Sequence, residues 1–124
     1  MYEELARIAE GEFGDIVTSW QLSYRRAAIP LKLRLRVRDG TYIDVWVSPS
    51  MGRFSFHWEQ RAVRGLIHRY DNAPDHPEVS TFPKHFHDGS EDNVLPSTIS
   101  DEPQEALREF LTFVKQKLIA IESG

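Results

Sequence analysis

"LKLRLRVRDGTYIDVWVS", residues 31–48, decides how the chain is built. Leu31, Leu33, Leu35 and Val37 take alternate positions, with Lys32, Arg34, Arg36 and Arg38 between them. Period-two alternation is the mark of a strand with one face in a core and the other in water. After Asp39-Gly40 the pattern resumes, with Ile43, Val45 and Val47 set against Tyr42, Asp44 and Trp46. The loop length follows from keeping the apolar faces together. A two-residue Asp39-Gly40 turn would pair Arg36 with Ile43 and mix the faces. A three-residue loop over residues 38–40 pairs Leu35 with Ile43, Leu33 with Val45 and Arg34 with Asp44. It also sets Gly40 at the left-handed position that such loops favour. The stretch therefore reads as a β-hairpin whose cations share a face with Tyr42, Asp44 and Trp46.

Outward from this hairpin, "DIVTSWQLSYR" (15–25) reads as a strand rich in β-branched and aromatic residues. "RFSFHWE" (53–59) alternates Phe54, Phe56 and Trp58 against Ser55, His57 and Glu59, after a turn over Pro49, Ser50, Met51 and Gly52. A loop at 60–64 leads to "GLIHRY" (65–70), a fifth strand. Short connections between consecutive strands imply an antiparallel meander. At the N-terminus "YEELARIAE" (2–10) spaces Tyr2, Leu5 and Ile8 on one helical face, with Gly11 and Gly14 ending the helix. Near the C-terminus Leu107, Phe110, Leu111, Val114, Leu118 and Ile121 form an amphipathic stripe. Asp101 and Gln104 suit a capping box for that helix. The expected fold is α+β: a meander of about five strands, a short N-terminal helix and a C-terminal helix packed on the sheet. It occupies a single domain over residues 1–124.

With 124 residues and no cysteine, the chain can bury a core without staples, and disulfides and thiolate metal sites are excluded. No apolar run reaches the ~20 residues of a membrane span. The acidic start, "MYEELARIAEGE", does not resemble a signal peptide. A cytoplasmic location, with no membrane partner, is the expectation. The net charge of −4 conceals a strong asymmetry. Residues 25–69 carry ten bases and three acids, whereas residues 70–124 carry eleven acids and four bases. Such a distribution says more about partners than the total does.

The cationic strand face has two readings. It is either a solvated sheet face, or a phosphate-binding surface on which Tyr42 and Trp46 stack against bases. "YDNAPDHPEVSTFPKHFH", residues 70–87, offers a second candidate, with three of the five histidines and three of the seven prolines. Pro74, Pro77 and Pro83 rule out a regular central strand or helix, and the polar run "DGSEDNVLPS" (88–97) continues as loop. His85 and His87, two apart, point to one side of an extended backbone. With His76 they suit metal ligation, acid–base catalysis, or a loop clamped by its own Asp and His side chains. His57 and His68 lie within strands and are more simply packed or solvated. No nucleotide-binding loop, zincin helix or serine elbow is present.

"FSFHWE" (54–59), "GLIHRYDNAPDHPEVSTFPKHFH" (65–87) and "EDNVLPS" (91–97) together resemble the TumE family of small bacterial and archaeal proteins. The family pattern is an aromatic-rich strand, Trp-Asp-Asn-Ala-Pro-His-His, then Thr-Phe-Pro-His-His-x-His and Val-x-Pro-Ser. The resemblance is close over roughly residues 54–97. The matching positions are Asp71, Asn72, Ala73, Pro74, His76, Phe82, Pro83, His85 and His87. Tyr70 stands where Trp is usual, Asp75 where the first histidine of a pair is usual, and Lys84 where another histidine is common. Those departures thin out a metal cluster and leave acid–base chemistry less affected.

The resemblance implies a toxin of a toxin–antitoxin module, with a helix-turn-helix antitoxin encoded nearby. The basic face adds RNA as target, with Lys32, Arg34, Arg36, Arg38, Tyr42 and Trp46 as nucleic-acid contacts. The leading expectation is a ribonuclease using His76, His85, His87 and Asp71 as catalytic groups, with no metal and no cofactor. The alternative is a non-enzymatic nucleic-acid or protein binding module whose His/Asp loop is structural. A metal-dependent phosphodiesterase is the third reading.

Overall fold

The 31–48 hairpin forms in the register that its pattern dictates. Leu35 faces Ile43, Leu33 faces Val45 and Arg34 faces Asp44. Val37 N–H donates to Thr41 O across the three-residue loop, and Gly40 adopts φ 91°. Asp39 fixes the loop: its carboxylate accepts from Thr41 N–H and Thr41 Oγ1, and pairs with Arg64. Thr41 Oγ1 in turn accepts from the indole N–H of buried Trp58 at 2.8 Å.

The computed structural model describes residues 1–26, 29–48 and 52–124; the turn read at Pro49, Ser50 and Met51 lies outside them. The elements run α1 (Tyr2–Glu12), β1 (Val17–Arg26), β2 (Ile29–Val37), β3 (Tyr42–Ser48), β4 (Arg53–Gln60), α2 (Arg61–Arg64), β5 (Leu66–Asp71), β6 (His85–Gly89), β7 (Val94–Pro96) and α3 (Pro103–Ser123). The architecture is α+β. The seven strands form one antiparallel sheet in sequence order.

The expected count of about five strands is therefore low by two. β6 and β7 occupy a region read as loop. Both are short, and "HFHDG" and "VLP" carry no useful alternation. Pro83 lies just before β6, where it removes no ladder hydrogen bond, so the prolines confine the strand without excluding it.

One sheet face is covered by helices. Leu33, Leu35, Ile43, Val45, Phe56 and Trp58 are fully buried there against Leu5, Leu107, Phe110 and Leu111. β4 alternates between buried and half-buried along its length, the period-two pattern realised. Beyond β4, stacking continues the core: Tyr70 lies 4.4 Å from Phe86, and Phe113 meets both edge-on. His68 packs into this cluster near Trp58 and Phe86, as a strand histidine is expected to.

The helix ends differ from expectation. The residue at the start of α3 is Glu102, with no side-chain cap. Asp101 pairs with Lys84, and Gln104 reaches Glu4 on α1. The two helices are thus fastened to each other and to the sheet, which removes the need for a local box. Leu31 and Ile121 lie at element ends, and both are exposed although each continues an apolar stripe.

Candidate functional site

Among the described residues the second sheet face carries no helix. Cross-strand neighbours point to the same side, so the register places polar side chains in rows. One row runs Arg34, Asp44, His57, Arg69 and His87 over β2 to β6. At ~4.8 Å per strand its ends lie roughly 19 Å apart. His85 stands beside this row, opposite Asp71 on β5. The cationic hairpin face and the histidines thus share one surface.

At the hairpin end the cations have partners. Arg34 donates from Nε and NH2 to the two oxygens of Asp44 at 2.8 and 3.0 Å, and Lys32 reaches the same carboxylate at 3.0 Å. Burial raises the Asp44 pKa, but Arg34 and Lys32 overcome it and hold the carboxyl below its usual range. The Arg34 guanidinium lies 3.8 Å from the centre of the Tyr42 ring, covering one face of it. Arg38 turns away to Glu122 on α3 and to Asp15 O. Arg36 is exposed, with no ion pair among the described residues, and Trp46 is 39% exposed. Of the expected nucleic-acid contacts, Arg36 and Trp46 are the most available, and Lys32, Arg34 and Tyr42 form one linked group.

At the other end His76, His85 and His87 converge. Each offers one ring nitrogen within 4.8 Å of the other two. His85 and His87 are i and i+2 on β6, hence on one face, and the 72–84 loop brings His76 over them. They lie in the sheet with 1% and 4% exposure, not on an exposed loop as the prolines suggested. Their ring centres are 4.9 Å apart, with His76 at 4.7 and 5.5 Å.

The hydrogen bonds fix the ring tautomers. His85 Nδ1 lies 3.0 Å from Pro83 O, and His87 Nδ1 lies 2.9 Å from Glu91 O. A carbonyl only accepts, so both Nδ1 atoms donate. His76 Nδ1 donates to Glu78 Oε2 at 3.0 Å. In the neutral rings the lone pair therefore sits on Nε2 in all three. Burial lowers the His87 pKa, with Arg69 and His85 acting in the same sense against the Glu91 carbonyl.

Asp71 is placed differently. One of its oxygens accepts from Ala73 N–H at 2.7 Å, and the other lies 3.6 Å from Arg69 Nε. It closes the turn into the loop beside the cluster. Asn72 accepts from Phe54 N–H and donates to Gly52 O, tying the loop to the start of β4. Thr81 donates to Lys84 O and accepts from Ser97 N–H, so the "TFP" and "VLPS" segments bind each other. Lys84, one residue out of phase with His85, leaves by the opposite face and donates to Ile99 O. Lysine at that position therefore takes no ligand from the cluster.

Four participants were not singled out from sequence. Arg69 donates from NH1 to Glu91 at 2.7 Å and to His57 Nδ1 at 3.1 Å. His57 then donates from Nε2 to Glu59, whose carboxyl is pulled down to about 2: burial opposes this, but Arg61 N–H and His57 outweigh it. His57 was open to discovery from the alternation of β4, whereas β5 has no alternation to single out Arg69. Glu78 and Glu91 lie in loops and carry no periodic signal.

The chain is thus an α+β protein whose second sheet face is polar, with three imidazoles gathered at one end of it. The chain belongs to the TumE toxin family, whose model matches residues 6–118. It is the toxin component of a toxin–antitoxin module, and its partner is an antitoxin. No curated protein matches the chain, and no solved structure does. No helix among the described residues is long and apolar enough to cross a membrane.

Proposed function

We propose that this toxin acts on RNA as a phosphodiesterase, with the His76, His85 and His87 cluster as the reaction centre. The observation that carries this reading is the continuity of one sheet face from Arg34 to His87. RNA supplies its own nucleophile: the 2′-oxygen bonds to phosphorus, the bond to the 5′-oxygen breaks, and a 2′,3′-cyclic phosphate is left. The protein has to accept the 2′-hydroxyl proton, return a proton to the departing 5′-oxygen, hold the phosphate and stabilise its added charge. A bare Nε2 is a suitable acceptor. Arg69, beside His87 and fixed by Glu91, is positioned as the phosphate contact. Arg36 and Trp46 extend the track, one by charge and one by stacking. Asp71 acts by positioning Arg69 and the loop, not by touching substrate. The antitoxin, a helix-turn-helix protein encoded beside the toxin, neutralises it by covering this face.

The test is controlled expression of the toxin with and without the neighbouring gene, together with incubation of purified protein with single-stranded RNA. Growth arrest, rescue by the neighbour and RNA cleavage are expected. His76→Ala should lower cleavage by ~10²–10⁴. His76 is the safest of the three to replace, because it lies on the loop and is only half-buried. Cleavage at the wild-type rate by folded His76→Ala protein would remove the cluster from the reaction. Toxicity without any change in RNA would instead favour a binding module with a structural His/Asp loop.

A further inference from the structure

We propose that His76, His85 and His87 bind a single divalent transition-metal ion of the zinc class through their Nε2 atoms. Three independent features point to it. The first is the geometry of the donors: three ring nitrogens lie within 4.8 Å of one another. Tetrahedral ligation at a Zn–N distance of about 2.1 Å needs them roughly 3.4 Å apart, so small side-chain rotations close the site.

The second is the outer set of bonds. Ligating imidazoles are ordinarily held by a hydrogen bond from the other ring nitrogen to a carbonyl or carboxylate. All three histidines have this bond, to Pro83 O, Glu91 O and Glu78. These contacts fix the rings and leave each Nε2 lone pair without a hydrogen bond among the described residues.

The third is rigidity. His85 and His87 are buried on a strand hydrogen-bonded on both sides, so two of the three donors are preorganised. Three neutral nitrogen ligands suit zinc, cobalt(II), nickel(II) or copper(II), and not the oxygen-seeking magnesium and calcium. Three protein ligands also leave a fourth position open, as in catalytic and not structural zinc sites. The proposal rests on the histidines alone. An Nε2 bound to metal takes no proton, so the metal-loaded cluster and the bare-imidazole cluster of the RNA reading are alternative states of one site, told apart by assaying cleavage with and without added zinc.

The experiment uses metal-stripped full-length protein. Cobalt(II) titration is followed by the visible absorption of the four-coordinate ion, and zinc affinity by competition with a chromophoric chelator. One equivalent is expected to bind, and zinc should raise the melting temperature. His76→Ala and His85→Ala should each weaken zinc binding by at least about 100-fold. Glu78→Gln should weaken it by about tenfold, since loss of an outer partner costs about 10–100-fold. His57→Ala, outside the cluster, should retain wild-type affinity. Circular dichroism establishes folding of each variant, and His76→Ala decides the matter if His85→Ala fails to fold. Failure of the folded wild type to bind zinc at micromolar concentrations would overturn the proposal. So would unchanged affinity in His76→Ala. Zinc binding and RNA cleavage are read separately, so failure of either is recognised by itself.

Discussion

Replacing Asp44 by asparagine should weaken the fold and strengthen RNA binding. Asp44 takes two hydrogen bonds from Arg34 and one from Lys32, and its side chain is only 21% exposed. Hydrogen bonds to charged groups contribute about 1.5–3 kcal/mol when buried, and exposed pairs under about 1 kcal/mol. This half-buried triad lies between those limits, so its loss costs about 2 kcal/mol. For a domain of this size that lowers the melting temperature by about 7 °C. The same substitution removes a negative charge from the face and releases Lys32 and Arg34. Each further phosphate contact on single-stranded RNA steepens the plot of log affinity against log salt by about 0.7, so two released cations add up to about 1.4. Fluorescence anisotropy with a short RNA across a salt series measures the slope, and thermal unfolding measures the cost. A folded Asp44→Asn protein with unchanged affinity and slope would refute the view that Lys32 and Arg34 face RNA. A solvated face gives the stability loss alone.

Arg36→Gln should flatten the salt dependence by about 0.7 with little change in stability, because Arg36 is exposed and has no ion pair among the described residues; the same titration checks it. Asn72→Ala should cost about 1–3 kcal/mol by leaving the part-buried Phe54 N–H without its acceptor, measured by denaturant unfolding. Glu59 is held at about 2 in the folded chain, below its ordinary value, so its ionised form stabilises the fold at neutral pH. That stabilisation is lost as pH falls from about 4.5 toward about 2. The gap in melting temperature between wild type and Glu59→Gln should be widest above pH 5 and close over that interval.

The hairpin was legible because two constraints agreed. Alternation fixed the faces of residues 31–37 and 42–47, and the demand that the faces match selected one loop length. β4 was legible for the same reason, and α3 through its 3.6-residue period. β6 was not, because its pattern is His-Phe-His, buried on both sides. Phe86 enters the aromatic core while His85 and His87 enter the cluster, so polar and apolar positions carry no contrast in exposure. Missing that strand hid the most consequential fact about the site, namely that β6 lies next to β5 and continues the face that begins at Arg34. The residue types of the site were visible in sequence, but their common surface was not. The α3 cap shows the opposite failure, in which a local rule was overridden by longer-range contacts of Asp101 and Gln104.

The hydrogen bonds of residues 70–87 separate structure from chemistry within a single motif. Asp71 closes the turn to Ala73, Asn72 clamps β4, Thr81 joins Lys84 to Ser97, and Lys84 anchors Ile99. Each of these polar groups is engaged in folding the loop. The three histidines differ: each has its Nδ1 engaged, and each offers one ring nitrogen within 4.8 Å of the other two. A loop that required only clamping could use one nitrogen of one ring, and three half-satisfied imidazoles at a common point add nothing to that task. On the reading proposed above, burying His85 and His87 beside His76 gives protons or a cation a place to bind, on a strand stiff enough to hold geometry. The surrounding Asp, Asn, Thr and Lys residues serve that placement. Substitutions among them should therefore reduce activity through the folded fraction, whereas loss of an Nε2 should reduce it in protein that is still folded.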